Sequence, residues 1–134
     1  LKPRKVFMFD IGDCLDIGGE RKGDKGFLIP TREVFTSLRD KGYWCGFASG
    51  VYFWVGHQIA NRNRLTIDFA FKKEDIIYFV GSVEIMYGPG TIFYMIGEDE
   101  SDKMFADIAN QACPSKVIYY SPREFYKRFK QGEF

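Results

Sequence analysis

Histidine is nearly missing from this sequence, with His57 alone, and cysteine is sparse, with Cys14, Cys45 and Cys113 far apart. Without a CxxC pair or a second histidine, zinc-site spacing is excluded. An odd set of scattered cysteines also excludes a secreted disulfide scaffold, so a reducing cytoplasm is the expected setting. No apolar run approaches the roughly twenty residues of a membrane-spanning helix, and no signal-peptide pattern is visible. A dominant charge is lacking too. The net charge of +1 leaves no global electrostatic case for binding nucleic acid or an anionic membrane. No repeat, linker or low-complexity stretch divides the 134 residues. One domain is expected, large enough to build a core without disulfides or a structural metal.

Aromatic residues, by contrast, are abundant: fourteen Phe and eight Tyr. A Phe-rich core accounts for them most simply, whereas an aromatic ligand platform requires rings clustered on one exposed face. Short apolar runs end abruptly in turn chemistry: "KVFMF" (5–9), "YWCGFAS" (43–49), "TIFYMIG" (91–97) and "KVIYY" (116–120), with a shorter alternating strand at "TIDFAF" (66–71). Between them lie helical patterns at 30–42, 51–63, 72–88 and 101–112, and an amphipathic helix closes the chain with Pro122 in its first turn. Gly56 weakens the second of these helices. The five glycines in "IGDCLDIGGERKGDKG" predict a solvated loop or small hairpin flap at about 16–29. Strands alternating with helices predict an α/β fold: a single-domain, Rossmann-like three-layer sandwich with a mainly parallel central sheet.

In such a sheet the ligand crevice lies beyond the carboxyl ends of the strands. The unusual polar residues of this chain follow those ends: Asp10 and Asp13 after the first strand, Ser49 and Gly50 after the second, and the "EDESD" run from Glu98 to Asp102 after a later one. Brought together, the acids repel one another unless a cation sits among them or some hold protons. Hard oxygen ligands without histidine suit Mg²⁺, and such a site usually serves phosphate chemistry. Lys72 or Lys73 is placed to neutralise a phosphate or an attacking carboxylate. The Ser49 hydroxyl and the N–H groups around Gly50 are placed to donate to a phosphate oxygen.

With these residues in order, the sequence resembles the haloacid dehalogenase-like (HAD) hydrolases, mostly magnesium-dependent phosphatases. The resemblance spans nearly the whole chain in four pieces: "FMFDIGDCL", "WCGFASG", "KKEDIIY" and "MIGEDESDKMFADIA". It implies that Asp10 is a nucleophile forming an aspartyl-phosphate. It also implies that Asp10, the Gly12 carbonyl and Glu98 or Asp102 hold Mg²⁺, and that Ser49 and Lys72 bind the phosphoryl group. Lys72 is favoured over Lys73 because Ile77 and Tyr78 follow it at the family's spacing. Asp99 and Glu100 read instead as an acidic first helical turn favoured by the helix dipole.

The sequence departs from the family at Gly12, where its phosphatases usually carry a second Asp as the general acid. A positioned acid typically contributes ~10²–10⁴-fold. Its loss predicts a slow enzyme, or one whose leaving group needs little protonation, with Asp13 as a stand-in acid or simply part of the turn. Neither the thirty-nine positions from Asp10 to Ser49 nor the shorter gap to Lys72 holds a cap domain. Capless relatives tend to form homo-oligomers or act on large substrates. The expected partner is therefore a phosphorylated substrate, small or macromolecular. The alternative is a HAD-fold binding or assembly protein that retains a remnant metal site.

Overall fold

The structure is a computed structural model that describes residues 2–17 and 27–134. Its centre is β1 (Lys5–Phe9), β4 (Trp44–Ser49), β5 (Phe69–Lys72), β6 (Ile92–Ile96) and β7 (Lys116–Tyr120), arranged in the order β5-β4-β1-β6-β7 with every pairing parallel. Between them run α1 (Thr31–Asp40), α2 (Phe53–Arg62), α3 (Ile76–Tyr87), α4 (Glu100–Ala112) and the closing α5 (Pro122–Lys130). This is the expected α/β, Rossmann-like architecture.

Both faces of the sheet are covered, so its strands are apolar on both sides rather than alternating with polar residues. In β1, Phe7 and Phe9 face a cluster formed with Val34, Phe35 and Leu38 of α1 and Phe125 of α5. Val6 and Met8 face the other way, onto Ile76, Val80 and Val83 of α3 and Ala106 and Ala109 of α4. A two-residue period thus feeds two separate cores. Six phenylalanines (Phe7, Phe9, Phe35, Phe47, Phe93 and Phe125) are fully buried, and full burial of each is worth about 1.5–3 kcal/mol. The core reading of the aromatics holds for these residues. It fails for Tyr52, Phe53 and Trp54, each more than half exposed.

Helix α2 forms despite Gly56 because that glycine is a contact, not a defect. A methyl group there would come within 3.1 Å of the Ala70 Cβ, so glycine lets the helix lie close against β5. The strand β5 itself begins later than the alternation predicts. The Asp68 carboxylate, held by Arg39, accepts the Cys45 N–H at 2.8 Å, and the regular ladder starts only at Gly46↔Phe69. The strand then runs through Lys72. A single 3-10 turn, Lys73–Asp75, intervenes before α3, where the sequence predicts helix from residue 72.

The ends of the expected 16–29 flap are β2 (Leu15–Asp16) and β3 (Ile29–Pro30). They pair in parallel, Leu15↔Ile29 and Asp16↔Pro30, not as the antiparallel arms of a hairpin. Residues 18–26 of that flap lie outside the described residues. Between Asp10 and Ser49 the described residues build this small pair and α1 but no inserted domain. No described helix is long and apolar enough to cross a membrane.

Candidate metal and phosphoryl site

The strand order reverses between β1 and β6: the chain moves outward through β4 and β5 on one side and through β7 on the other. That topological switch point is where open parallel sheets bind ligands. Asp10 follows the last residue of β1 and donates its N–H to Ile96 O at 2.9 Å, which carries the ladder one step beyond β1. Its Oδ1 accepts the Ile11 N–H at 2.9 Å, fixing the carboxylate at the sheet edge.

Across the switch point, Gly97 turns the chain out of β6 so that Asp99 sits at the N-terminal cap of α4. Asp102, one turn into the helix, is fully buried, and its Oδ2 accepts the Asp99 N–H at 3.1 Å. Only glycine fits at position 97, because an added Cβ would lie 2.0 Å from Asp102 Oδ2. Tyr119 of β7 donates its hydroxyl to Gly97 O at 2.7 Å and holds the turn from the far side. Burial, then the charges of Asp102 and Glu98, push that phenol up to about 12, so it remains a donor. Gly97→Ala must displace the Asp102 carboxylate and is expected to cost about 1–3 kcal/mol as an overpacked site. Chemical denaturation checks this as a lower midpoint at unchanged slope.

Lys73 joins the two halves. Its ammonium lies 2.6 Å from Asp102 Oδ1 and 3.3 Å from Asp10 Oδ2, in a largely buried setting. Burial pushes the Asp10 carboxyl up to about 6, the Asp102 charge adds to that rise, and Lys73 opposes it. Burial also raises Asp102 despite its contact with Lys73. For Lys73, burial pulls the ammonium down, but its bonds to Asp102 and Asp10 win and raise it. The result is a compact acid–base–acid unit in which one cation contacts two carboxylates and leaves one of them without a balancing charge.

One carboxylate oxygen from each of Asp10, Asp99 and Asp102 lies within 4.8 Å of the others, a spacing at which one metal ion could be held. Asp10 and Asp102 are buried and Asp99 is exposed to solvent. All are hard oxygen donors, so the set suits a cation such as Mg²⁺ better than a thiophilic metal.

The structure revises several sequence expectations. Lys73, not Lys72, reaches Asp10, because β5 runs through Lys72 and the turn begins after it. Lys72 pairs instead with Glu74 at 3.3 Å and lies over the Tyr52 ring. Ile77 and Tyr78, whose spacing favoured Lys72, are solvent-facing, while Ile76 and Val80 enter the core. Asp99 joins Asp10 and Asp102 where Glu98 was expected, because it is the helix-capping residue and Glu98 lies outside the group. Ser49 is buried at the end of β4 and accepts the Val51 N–H at 3.3 Å. The register Phe9↔Phe47 places it at the same sheet edge as Asp10, with exposed Gly50 beside it.

Gly12 is exposed and can offer only its backbone. Asp13 is half-buried, with φ 57° in the tight turn that Leu15 N–H closes onto Ile11 O at 3.1 Å. This is a left-handed position that Asp tolerates better than most residues, and it lies outside the carboxylate group. Cys14 is fully buried, and burial followed by the charges of Asp10 and Asp102 holds its thiol well above the usual range. It is therefore no nucleophile. Exposed His57 packs edge-on against Phe53.

Tyr119 and Gly97 escape sequence reasoning because their roles depend on contacts across strands. An available signal was the glycine between strand and acids in "MIGEDESD". Compared with known proteins, the chain matches no family model, no curated protein and no solved structure.

Proposed function

We propose that this chain is a magnesium-dependent phosphomonoester hydrolase of the capless HAD type, working through an aspartyl-phosphate on Asp10. The observation that carries this reading is the Asp10–Lys73–Asp102 unit at the switch point of a parallel sheet. Asp10 attacks phosphorus, the bond to the leaving oxygen breaks, and water then displaces the phosphoryl group from Asp10 as inorganic phosphate. Splitting the hydrolysis this way makes each half easier than direct attack by water.

Lys73 takes the role expected of Lys72. It holds Asp10 in position and places a positive charge beside the transferring group, the electrostatic positioning on which phosphoryl transfer depends. Ser49 and the N–H groups around Gly50 bind the phosphoryl oxygens. Asp10, Asp102 and the Gly12 carbonyl hold Mg²⁺, with Asp99 taking the place expected of Glu98. When bound, the ion supplies charge neutralisation for the phosphate. Asp13, half-buried in the tight turn and outside the carboxylate group, belongs to the turn in this reading, not to the acid chemistry. The setting is cytoplasmic. Self-association is supported by exposed Ile85 and Met86 on α3 and Met104 on α4, since these two helices pack side by side.

Gly12 supports a second reading, a HAD-fold binding or assembly protein with a remnant site, because no side chain there can protonate a leaving oxygen. Turnover separates the two. Wild-type protein is expected to release phosphate from 4-nitrophenyl phosphate only with Mg²⁺, and Asp10→Asn to release none. A folded wild type without turnover would favour the binding protein.

A further inference from the structure

Two independent features bear on which phosphate ester the site takes. The first is chemical. With Gly12 in place of an acid, the departing oxygen must leave without a proton from that position. An alkoxide does so poorly, whereas a phenolate is stable enough to leave with its electron pair and collect a proton from water afterwards.

The second feature is a surface. Val51, Tyr52, Phe53 and Trp54 follow Ser49 and Gly50 directly and are all exposed, the three aromatic rings by more than half. Tyr52 and Trp54 lie parallel, 5° apart in plane with centroids separated by 6.2 Å. This cluster is tied to the site from two directions. The Val51 N–H bonds to Ser49 Oγ, and the ammonium of Lys72, next in sequence to Lys73, lies 4.7 Å from the centre of the Tyr52 ring. Flat, parallel, water-exposed rings at the carboxyl edge of the sheet form a stacking platform beside the phosphoryl position. The cation at that edge complements the charge of a phosphate monoester. Aromatic residues elsewhere in the chain are mostly consumed by the core, which makes this exposed group specific to the site edge.

We infer that the substrate is the phosphate monoester of a phenol, its ring seated on the Tyr52–Trp54 platform while Asp10 faces its phosphorus. This rests on the hydrolase reading above. The Asp10 oxygen bonds to phosphorus as the phosphorus–phenol oxygen bond breaks, and the phenolate departs with the electron pair. Water then attacks phosphorus to give inorganic phosphate and regenerate Asp10.

The test is calorimetric titration of full-length Asp10→Asn protein in Mg²⁺ with phenyl phosphate and with ethyl phosphate, run beside wild-type turnover of both. Phenyl phosphate is expected to bind about tenfold more tightly. Adding Tyr52→Ala and Trp54→Ala is expected to abolish that advantage; both side chains are largely exposed, so the fold survives their loss. Equal affinity for the two esters, or a preference that persists in the doubly truncated platform, would overturn the aromatic subsite. Turnover with no ring preference would overturn the subsite and leave the hydrolase standing. Ring-dependent binding without any turnover would do the reverse.

Discussion

Lys73→Ala is expected to destabilise the protein by about 3 kcal/mol near pH 8, measured without divalent cation, and to lower phosphatase turnover by about 10²–10³-fold. The stability loss arises because Asp102 is completely buried and Asp10 nearly so, and Lys73 is the cation both contact. Removing one partner of a buried ion pair leaves the other charge uncompensated. The pair can relieve this by taking up a proton, as two adjacent carboxylates do; without Lys73 that proton is held to a higher pH than the value of about 6 in the wild type, so the loss should shrink as pH falls toward 6. In thermal melts the effect near neutral pH corresponds to roughly 10 °C. Lys72→Ala is the internal comparison. Its contacts are with exposed Glu74 and the face of Tyr52, and pairs of that kind are worth at most about 1 kcal/mol. A larger stability loss at Lys72 than at Lys73 would mean that the two lysines are exchanged relative to this structure.

Asp10→Asn should act with opposite signs on activity and stability. Turnover falls by about 10³-fold or more, since an amide oxygen cannot serve as the attacking nucleophile. Stability rises. The folded protein holds the Asp10 proton up to about pH 6, whereas an unfolded aspartate releases it near its ordinary value of 3.8. The folded state therefore binds more protons across that window, and stability declines as pH rises through it. A difference of about two pH units corresponds to at most ~3 kcal/mol above pH 6. Asparagine is neutral and nearly isosteric, and it keeps an acceptor for the Ile11 N–H, but it gives up the charge contact with Lys73. The expected net gain is about 1–2 kcal/mol near pH 8, vanishing near pH 4. Melting curves of both proteins across this range, without divalent cation, check it; an Asp10→Asn variant less stable than wild type at pH 8 would contradict the sign. Function and stability trade against each other here, as at other sites that hold like charges together.

The fold was legible because short apolar runs that end in turn chemistry alternate with helical patterns, from "KVFMF" to the closing amphipathic helix. The position of Asp10 was legible for the same reason: a buried strand has an end, and in a parallel sheet that end is where ligands sit. The identity of the lysine was not. It depends on where β5 stops: Lys72 is its last paired residue, opposite Ser49, and the 3-10 turn that carries Lys73 begins after it. One residue of strand changes which of two adjacent lysines enters the crevice. Asp99 is the N-terminal capping residue that its context predicts, and its nearness to Asp10 and Asp102 is what the sequence did not show. Gly97 and Tyr119 show the limit most clearly, since the clash that requires glycine and the hydroxyl that supports its carbonyl both involve residues distant along the chain or around a helical turn.

The most direct test of Asp10 as a nucleophile is to trap the phosphorylated protein. Wild-type and Asp10→Asn proteins are mixed with Mg²⁺ and an aryl phosphate, quenched in acid within the first turnover, and digested for peptide mass analysis. The account predicts a phosphate on the peptide containing Asp10, labile to hydroxylamine as an acyl phosphate must be, and absent from the variant. Phosphate release with the label on another residue, or no phosphorylated peptide at all, would contradict it.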